Sequence, residues 1–143
     1  MKLERIRYSE LNAKQKEMFN FQKVAGKLAD YGFNCIKLAD DWQGADFLAY
    51  HKDGSSTLKV QLKSRLFIAK KYIGKELCMA FPLRGYWHLI EHEKLVDIVG
   101  KTTPWLESLS WRENGAYSSK NPNSDLFEAL SPWQLSCPTG RCS

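Results

Sequence analysis

The period of apolar and polar positions changes along this chain, and each change marks an element. Between residues 9 and 31, Met18, Phe21, Val24, Ala25 and Leu28 recur at helical spacing, which predicts an amphipathic helix with one apolar stripe. Ser9 or Asn12 is its N-cap and Gly32 its left-handed stop. Residues 33–38 then read as a short strand. Residues 44–50 and 59–65 read as the arms of a β-hairpin around His51-Lys52-Asp53-Gly54-Ser55-Ser56, whose Asp-Gly pair favours a tight reversal. Residues 66–68 prolong the second arm. Residues 77–81 form an apolar run suited to a central strand, ended by Pro82. A turn at 83–85, a strand over 86–90 and a helix over 92–99 follow, with Leu95, Ile98 and Val99 inward and Gly100 as the stop. Trp105, Trp111, Tyr117 and Trp133 lie in a Ser/Asn/Pro/Gly-rich segment as packing anchors, and a short helix over 124–130 is capped by Ser124. This order predicts one α/β domain with a mixed central β-sheet flanked by helices. Its core spans about 9–100 and a C-terminal elaboration spans about 101–143.

Several polar residues interrupt this pattern. On the second arm Leu58, Val60 and Leu62 share one face, and Lys59, Gln61, Lys63 and Arg65 share the other. On the first arm Asp46 breaks an apolar run. A two-residue turn at Asp53-Gly54 sets Asp46 opposite Gln61, and a turn one residue later sets it opposite Lys63. Either register gathers a carboxylate, an amide oxygen and an ammonium. On the helix, Glu17 is four residues before Phe21. It either continues the buried line, where it needs a partner, or faces solvent near the helix start. Gln22 and Asp41 are further polar neighbours of this region.

Composition narrows the class. The 143 residues are 43% hydrophobic, 13% aromatic and 26% charged, as in a folded globular chain. A net charge of +5 favours a polyanionic partner. The basic run Lys70-Lys71-Tyr72-Ile73-Gly74-Lys75 is either a phosphate-binding loop or a solvated surface. No Cys-x-x-Cys pair occurs among the four cysteines, so Cys35 and Cys78 read as buried thiols. Cys137 and Cys142, separated by four residues in a Pro/Gly tail, offer at most a weak metal or disulfide pair. His51, His88 and His92 follow no ligand spacing. A charged N-terminus without an apolar stretch, and no run of about 18 apolar residues, lead to an expected cytoplasmic location away from membranes.

A carboxylate with a second oxygen ligand can hold Mg²⁺, and such an ion activates water and stabilises a phosphoryl oxygen. A lysine beside it can orient or deprotonate that water, or neutralise developing phosphate charge. The main-chain carbonyl of Leu62 offers another oxygen. The ordered set formed by the helix with Glu17, the Gly32-Phe33 strand start, Gly44-Ala45-Asp46, the Asp53-Gly54 turn and Val60-Gln61-Leu62-Lys63-Ser64-Arg65 resembles the PD-(D/E)XK nuclease superfamily in a QxK variant. The resemblance spans roughly residues 9–81.

It implies a restriction-endonuclease-like fold and an Mg²⁺-dependent endonuclease acting on DNA, with Mn²⁺ as a substitute. Asp46 matches the metal-binding aspartate and Lys63 the catalytic lysine. Leu62 matches the position whose carbonyl binds metal. Gln61 stands where the family more often has an acid, which removes one negative charge from the site. Glu17 stands near the helix acid of several branches and could restore that charge, with Gln22 or Asp41 as alternatives. Lys59, Arg65, Lys70 and Lys71 are the implied contacts to the DNA backbone. Cutting both strands of a duplex implies a homo-oligomer, dimer or tetramer. The rival expectation, kept open by Gln61, is a catalytically inactive nucleic-acid-binding or assembly module on the same fold.

Overall fold

A computed structural model describes residues 1–135; the Cys137–Cys142 pair lies outside the described residues. Helix α1 (Ala13–Ala29) starts on Asn12, whose side chain accepts from the Gln15 amide while Gln15 reaches back to the Asn12 amide. This reciprocal box satisfies two free donors of the first turn, and it settles the N-cap on Asn12. The buried line is Asn20, Val24 and Leu28, with Phe21 half-buried beside it. Met18 corrects the expected stripe: its side chain is 43% exposed. Asn20 takes the inner position instead, donating to the Tyr8 hydroxyl at 2.9 Å.

The central sheet has five strands in the order β1-β2-β3-β5-β6. They are β1 (Phe33–Trp42), β2 (Ala45–His51), β3 (Thr57–Leu62), β5 (Leu77–Leu83) and β6 (Tyr86–Glu91). β3 and β5 are parallel and the other neighbours antiparallel, so the sheet is mixed and helix-flanked, as the sequence pattern predicts. β1 runs on through Asp40-Asp41-Trp42, past the short strand over 33–38 that the sequence predicts. The chain reverses at Gln43-Gly44, with φ of +52° and +89°, the left-handed pair of a mirror-image hairpin turn. The β2–β3 register pairs Phe47 with Val60 and Tyr50 with Thr57, which is the first of the two expected registers.

Residues 66–68 do not prolong β3. The chain leaves the sheet after Leu62, and β4 (Leu66–Ala69) pairs with β7 (Ala116–Ser119) in a separate two-stranded sheet. Pro82 does not end β5 but sits within it, opposite Trp87 near the β5–β6 turn. Helix α2 (His92–Thr102) passes through Gly100, where a side chain would meet Leu106 at 2.9 Å. Helix α3 (Ser124–Ala129) is capped by Asn123 and not by Ser124.

Two apolar cores form on the two faces of the sheet. One joins Val24 and Leu28 of α1 to Phe47, Ala49, Val60 and Ala80. The other joins β4, α2 and α3 to Met79 and Phe81 through Leu66, Ile68, Leu95, Val99, Leu126 and Leu130. β5 alternates strictly, with Met79 in one core and Cys78 and Ala80 in the other. It is thus covered on both sides, which its continuous apolar run requires. The aromatic anchors of the C-terminal third pack as expected: Trp111 is buried and Trp105 stacks on Tyr117 at 4.5 Å.

Candidate functional site

Asp46 sits where β2 and β3 part. Ala45 belongs to one core, and Phe47 and Ala49 belong to the other, so the two-residue alternation of β2 breaks at Asp46. The β1–β2 register shifts between Lys37 and Trp42 alongside it. The preceding turn is held by Asp41, whose carboxylate accepts from the Gly44 amide at 2.8 Å. Gly44 itself is packed so closely that a Cβ would lie 2.6 Å from Leu77. That turn aims Asp46 toward β3, where its Oδ2 accepts a hydrogen bond from the Leu62 amide at 2.8 Å. Burial raises the Asp46 pKa above the ordinary carboxylate range. The Leu62 amide, Lys37 and Lys63 pull it back down, and Glu17 pushes it up.

Gln61 is 6% exposed, and its Oε1 is buried without a hydrogen-bond partner. An oxygen left this way is destabilising by about 1–3 kcal/mol. The observed β2–β3 pairing ends at Phe47–Val60, and Asp46 and Gln61 are the next residues of the two strands beyond it. Lys63 is fixed through its main chain, its amide donating to the Ala80 carbonyl of β5 at 2.9 Å. Its ammonium lies 4.4 Å from the centre of the Phe67 ring. Burial is the main cause that lowers the Lys63 pKa, and Lys71 lowers it further, against the opposing pull of Asp46 and Asp41.

Glu17 faces the cleft and solvent together. Its side chain is 55% exposed and accepts from the Lys37 ammonium at 3.0 Å. A cleft of about 330 Å³ lies between α1 and the end of β3, bordered by Glu17, Asn20, Leu62 and Lys63. At this end of β3 the Asp46 carboxylate thus meets the Leu62 amide and acts on Lys63, with Gln61 preceding Leu62 in the strand and Glu17, bonded to Lys37, at the cleft. Gln22 is exposed on α1, outside the buried line, and the Asp41 carboxylate is engaged in the hairpin turn.

The flanking cations do not share one face, contrary to the strand alternation read from the sequence. Lys59 donates to the Gln43 side chain at 3.2 Å, next to Trp42. Arg65 follows the departure of the chain from the sheet and borders a second cleft with Lys16 and Lys120. Lys70 donates to the Arg112 carbonyl at 3.3 Å, while Lys71 borders a surface hollow with Asp41 and Tyr72. Lys37 and Asn20 are residues that sequence reasoning missed. The available signal was a lysine inside the short strand 33–38, and an asparagine four residues before Val24.

Among the described residues, no three His, Cys, Asp or Glu side chains gather as a cation site. The donor set here is instead mixed: the Asp46 carboxylate, a buried and unpartnered amide oxygen, a main-chain carbonyl and the marginal Glu17. Oxygen donors of this kind suit a hard divalent cation that keeps several waters.

No protein-family model and no curated protein matches the chain. Among solved structures, it is similar to Hjc, a Holliday junction resolvase from the archaeal hyperthermophile Archaeoglobus fulgidus. That similarity has a TM-score of 0.45 and 19% identity, over 55% of this chain and 74% of that chain. No helix among the described residues is long and apolar enough to cross a membrane.

Proposed function

We propose that this chain is a metal-dependent endonuclease of restriction-endonuclease-like fold that hydrolyses DNA phosphodiester bonds. The observation that carries the reading is the Asp46 carboxylate held by the Leu62 amide, within electrostatic reach of Lys63, next in the chain to a buried Gln61 Oε1 that has no partner. A hard cation would satisfy it. Asp46, Gln61 and the Leu62 carbonyl would hold Mg²⁺ or Mn²⁺, with Glu17 adding negative charge at the margin. When bound, such an ion supplies Lewis-acid polarisation of a phosphoryl oxygen and a more acidic water.

The residues of the chain do the rest. The Leu62 amide holds Asp46 in one orientation. Lys63, with its lowered pKa, orients or deprotonates the attacking water and offsets charge that develops on the phosphate. Glu17 holds the Lys37 ammonium, whose charge also favours the ionised Asp46. Lys59, Arg65, Lys70 and Lys71 contact the DNA backbone, Lys70 with donors beyond the one given to Arg112. Cutting of both duplex strands would call for a two-fold homodimer or a tetramer built on it.

The test is to incubate the protein with plasmid, branched and single-stranded DNA in Mg²⁺ or Mn²⁺, beside Asp46→Ala and Lys63→Ala. The expected result is cation-dependent cleavage that both substitutions reduce by about 100-fold or more. Cleavage that survives either change would overturn the site assignment. Tight DNA binding with no cleavage of any substrate would favour the non-catalytic module.

A further inference from the structure

The cleft at the end of β3 does not stop at Lys63. It continues past Ser64 into a second hollow of about 470 Å³, which shares Tyr8, Lys16, Asn20 and Ser64 with the first. The second hollow is bordered by three cations, Lys16, Arg65 and Lys120, and by no acid. Three aromatic rings lie among them: Tyr8, Phe19 and Trp87. Phe19 and Trp87 are half-buried, and Tyr8 is 40% exposed. Tyr8 meets Phe19 edge-on at 5.3 Å and is anchored by Asn20 through its hydroxyl. These rings are therefore held by the fold yet keep surface open to the hollow.

Cations interleaved with accessible rings match one kind of polyanion. A duplex offers phosphates to a protein surface but hides the faces of its bases within the stack. An unpaired strand offers both, and its bases stack on aromatic side chains with little regard to sequence. The volume lies in the range of pockets that take one small-molecule-sized unit, such as a nucleotide, and is far from a duplex-wide channel. Continuity with the Lys63 cleft sets this hollow next to the reacting centre.

We propose that the hollow bordered by Lys16, Arg65, Lys120, Phe19 and Trp87 receives an unpaired DNA strand leaving the scissile phosphate. This rests on the nuclease reading and narrows its substrate class to DNA with a single-stranded arm. Arg65 and Lys120 hold phosphates of that strand, and Trp87 stacks on a base.

Binding measured in EDTA separates this inference from catalysis. Fluorescein-labelled oligo(dT), a blunt duplex and the same duplex with one single-stranded arm are titrated and followed by anisotropy. The armed duplex is expected to bind about tenfold tighter than the blunt one, and Trp87→Ala to remove about tenfold of that gain. Arg65→Ala and Lys120→Ala should each reduce the salt slope on oligo(dT) by about 0.7. Lys101→Ala, paired with Asp97 on α2, should leave it unchanged. Trp87 packs partly against the core, so Lys120→Ala, at an exposed position, keeps the test decisive if Trp87→Ala misfolds.

Equal affinity for blunt and armed duplexes, or salt slopes unmoved by Arg65→Ala and Lys120→Ala, would overturn the proposal even if Asp46→Ala abolished cutting. Cleft-dependent binding without cleavage in Mg²⁺ or Mn²⁺ would support the strand site while overturning the nuclease reading.

Discussion

The Asp46 carboxylate accepts the Leu62 amide at 2.8 Å across the point where β2 and β3 part. The bond orients an acid whose ionised form burial disfavours. A carboxyl whose pKa is raised on folding makes the folded state less stable, relative to the unfolded one, once the pH is high enough to ionise it. Asp46→Asn keeps an oxygen for the Leu62 amide and removes that charge. We therefore expect Asp46→Asn to melt at the same or a slightly higher temperature at pH 7.5, while DNA cleavage falls by about 100-fold or more. Calorimetry and a plasmid assay on one preparation check both halves. A lower melting temperature would show that the carboxylate is a structural asset.

Lys63 gives a pH signature. Its pKa is lowered by burial and by Lys71, so the neutral amine becomes available below the ordinary lysine range. If Lys63 takes the water proton, kcat rises with pH toward that pKa. Lys71→Gln removes the repulsion and should move the rising limb to higher pH at saturating DNA. Lys63→Arg retains a cation that cannot lose its proton and should stay near the Lys63→Ala rate. An unshifted limb in Lys71→Gln would mean that the limb reports another group.

Much of this arrangement was legible in the chain because local rules governed it. The Asp53-Gly54 signal and the alternation of Leu58, Val60 and Leu62 predict the β2–β3 hairpin and limit its register to two choices, of which the structure takes the one pairing Phe47 with Val60. Helix α1 was legible from its spacing, but Met18 misled because an apolar side chain near the helix start can remain at the surface. The departure of the chain after Leu62 was not legible. Leu66-Phe67-Ile68 continues the β-like pattern, and only a distant partner, β7, draws it into another sheet. That departure also carries Arg65 away from Lys59, so face assignments by alternation fail beyond it. The Lys37–Glu17 contact joins residues twenty positions apart on different elements, and no local pattern encodes it.

Two buried histidines make a separate prediction about acid. His88 stacks on Phe81, and His92 accepts the Ala69 amide at 3.1 Å through Nε2. Burial lowers the pKa of both below the ordinary value of 6.5. The unfolded chain then binds protons that the folded chain refuses, so stability is retained above about pH 6.5 and lost as the pH falls below it. Urea midpoints should drop between pH 7.5 and 5.5. His92→Gln should lessen that drop while reducing stability at pH 7.5 by about 1–3 kcal/mol, through the Ala69 amide. A midpoint independent of pH over this range would sink the argument.

Gln61 is the position at which metal binding can be read without any substrate. Its Oε1 lacks a partner inside the protein, and in the proposed site Gln61→Glu adds a second carboxylate to that of Asp46. Two such groups without a cation repel, and burial adds to the cost. In EDTA at pH 7.5 the variant should be less stable than the native chain by about 1–3 kcal/mol. Mg²⁺ or Mn²⁺ should return most of that loss, since a ligand that binds only the folded state stabilises it according to its concentration over its dissociation constant. The native chain should show a smaller cation-dependent rise in melting temperature, because its site carries one negative charge fewer. Asp46→Asn should abolish the rise in both backgrounds. If the cation fails to move the melting temperature of Gln61→Glu, the oxygens of Asp46 and residue 61 do not form one site.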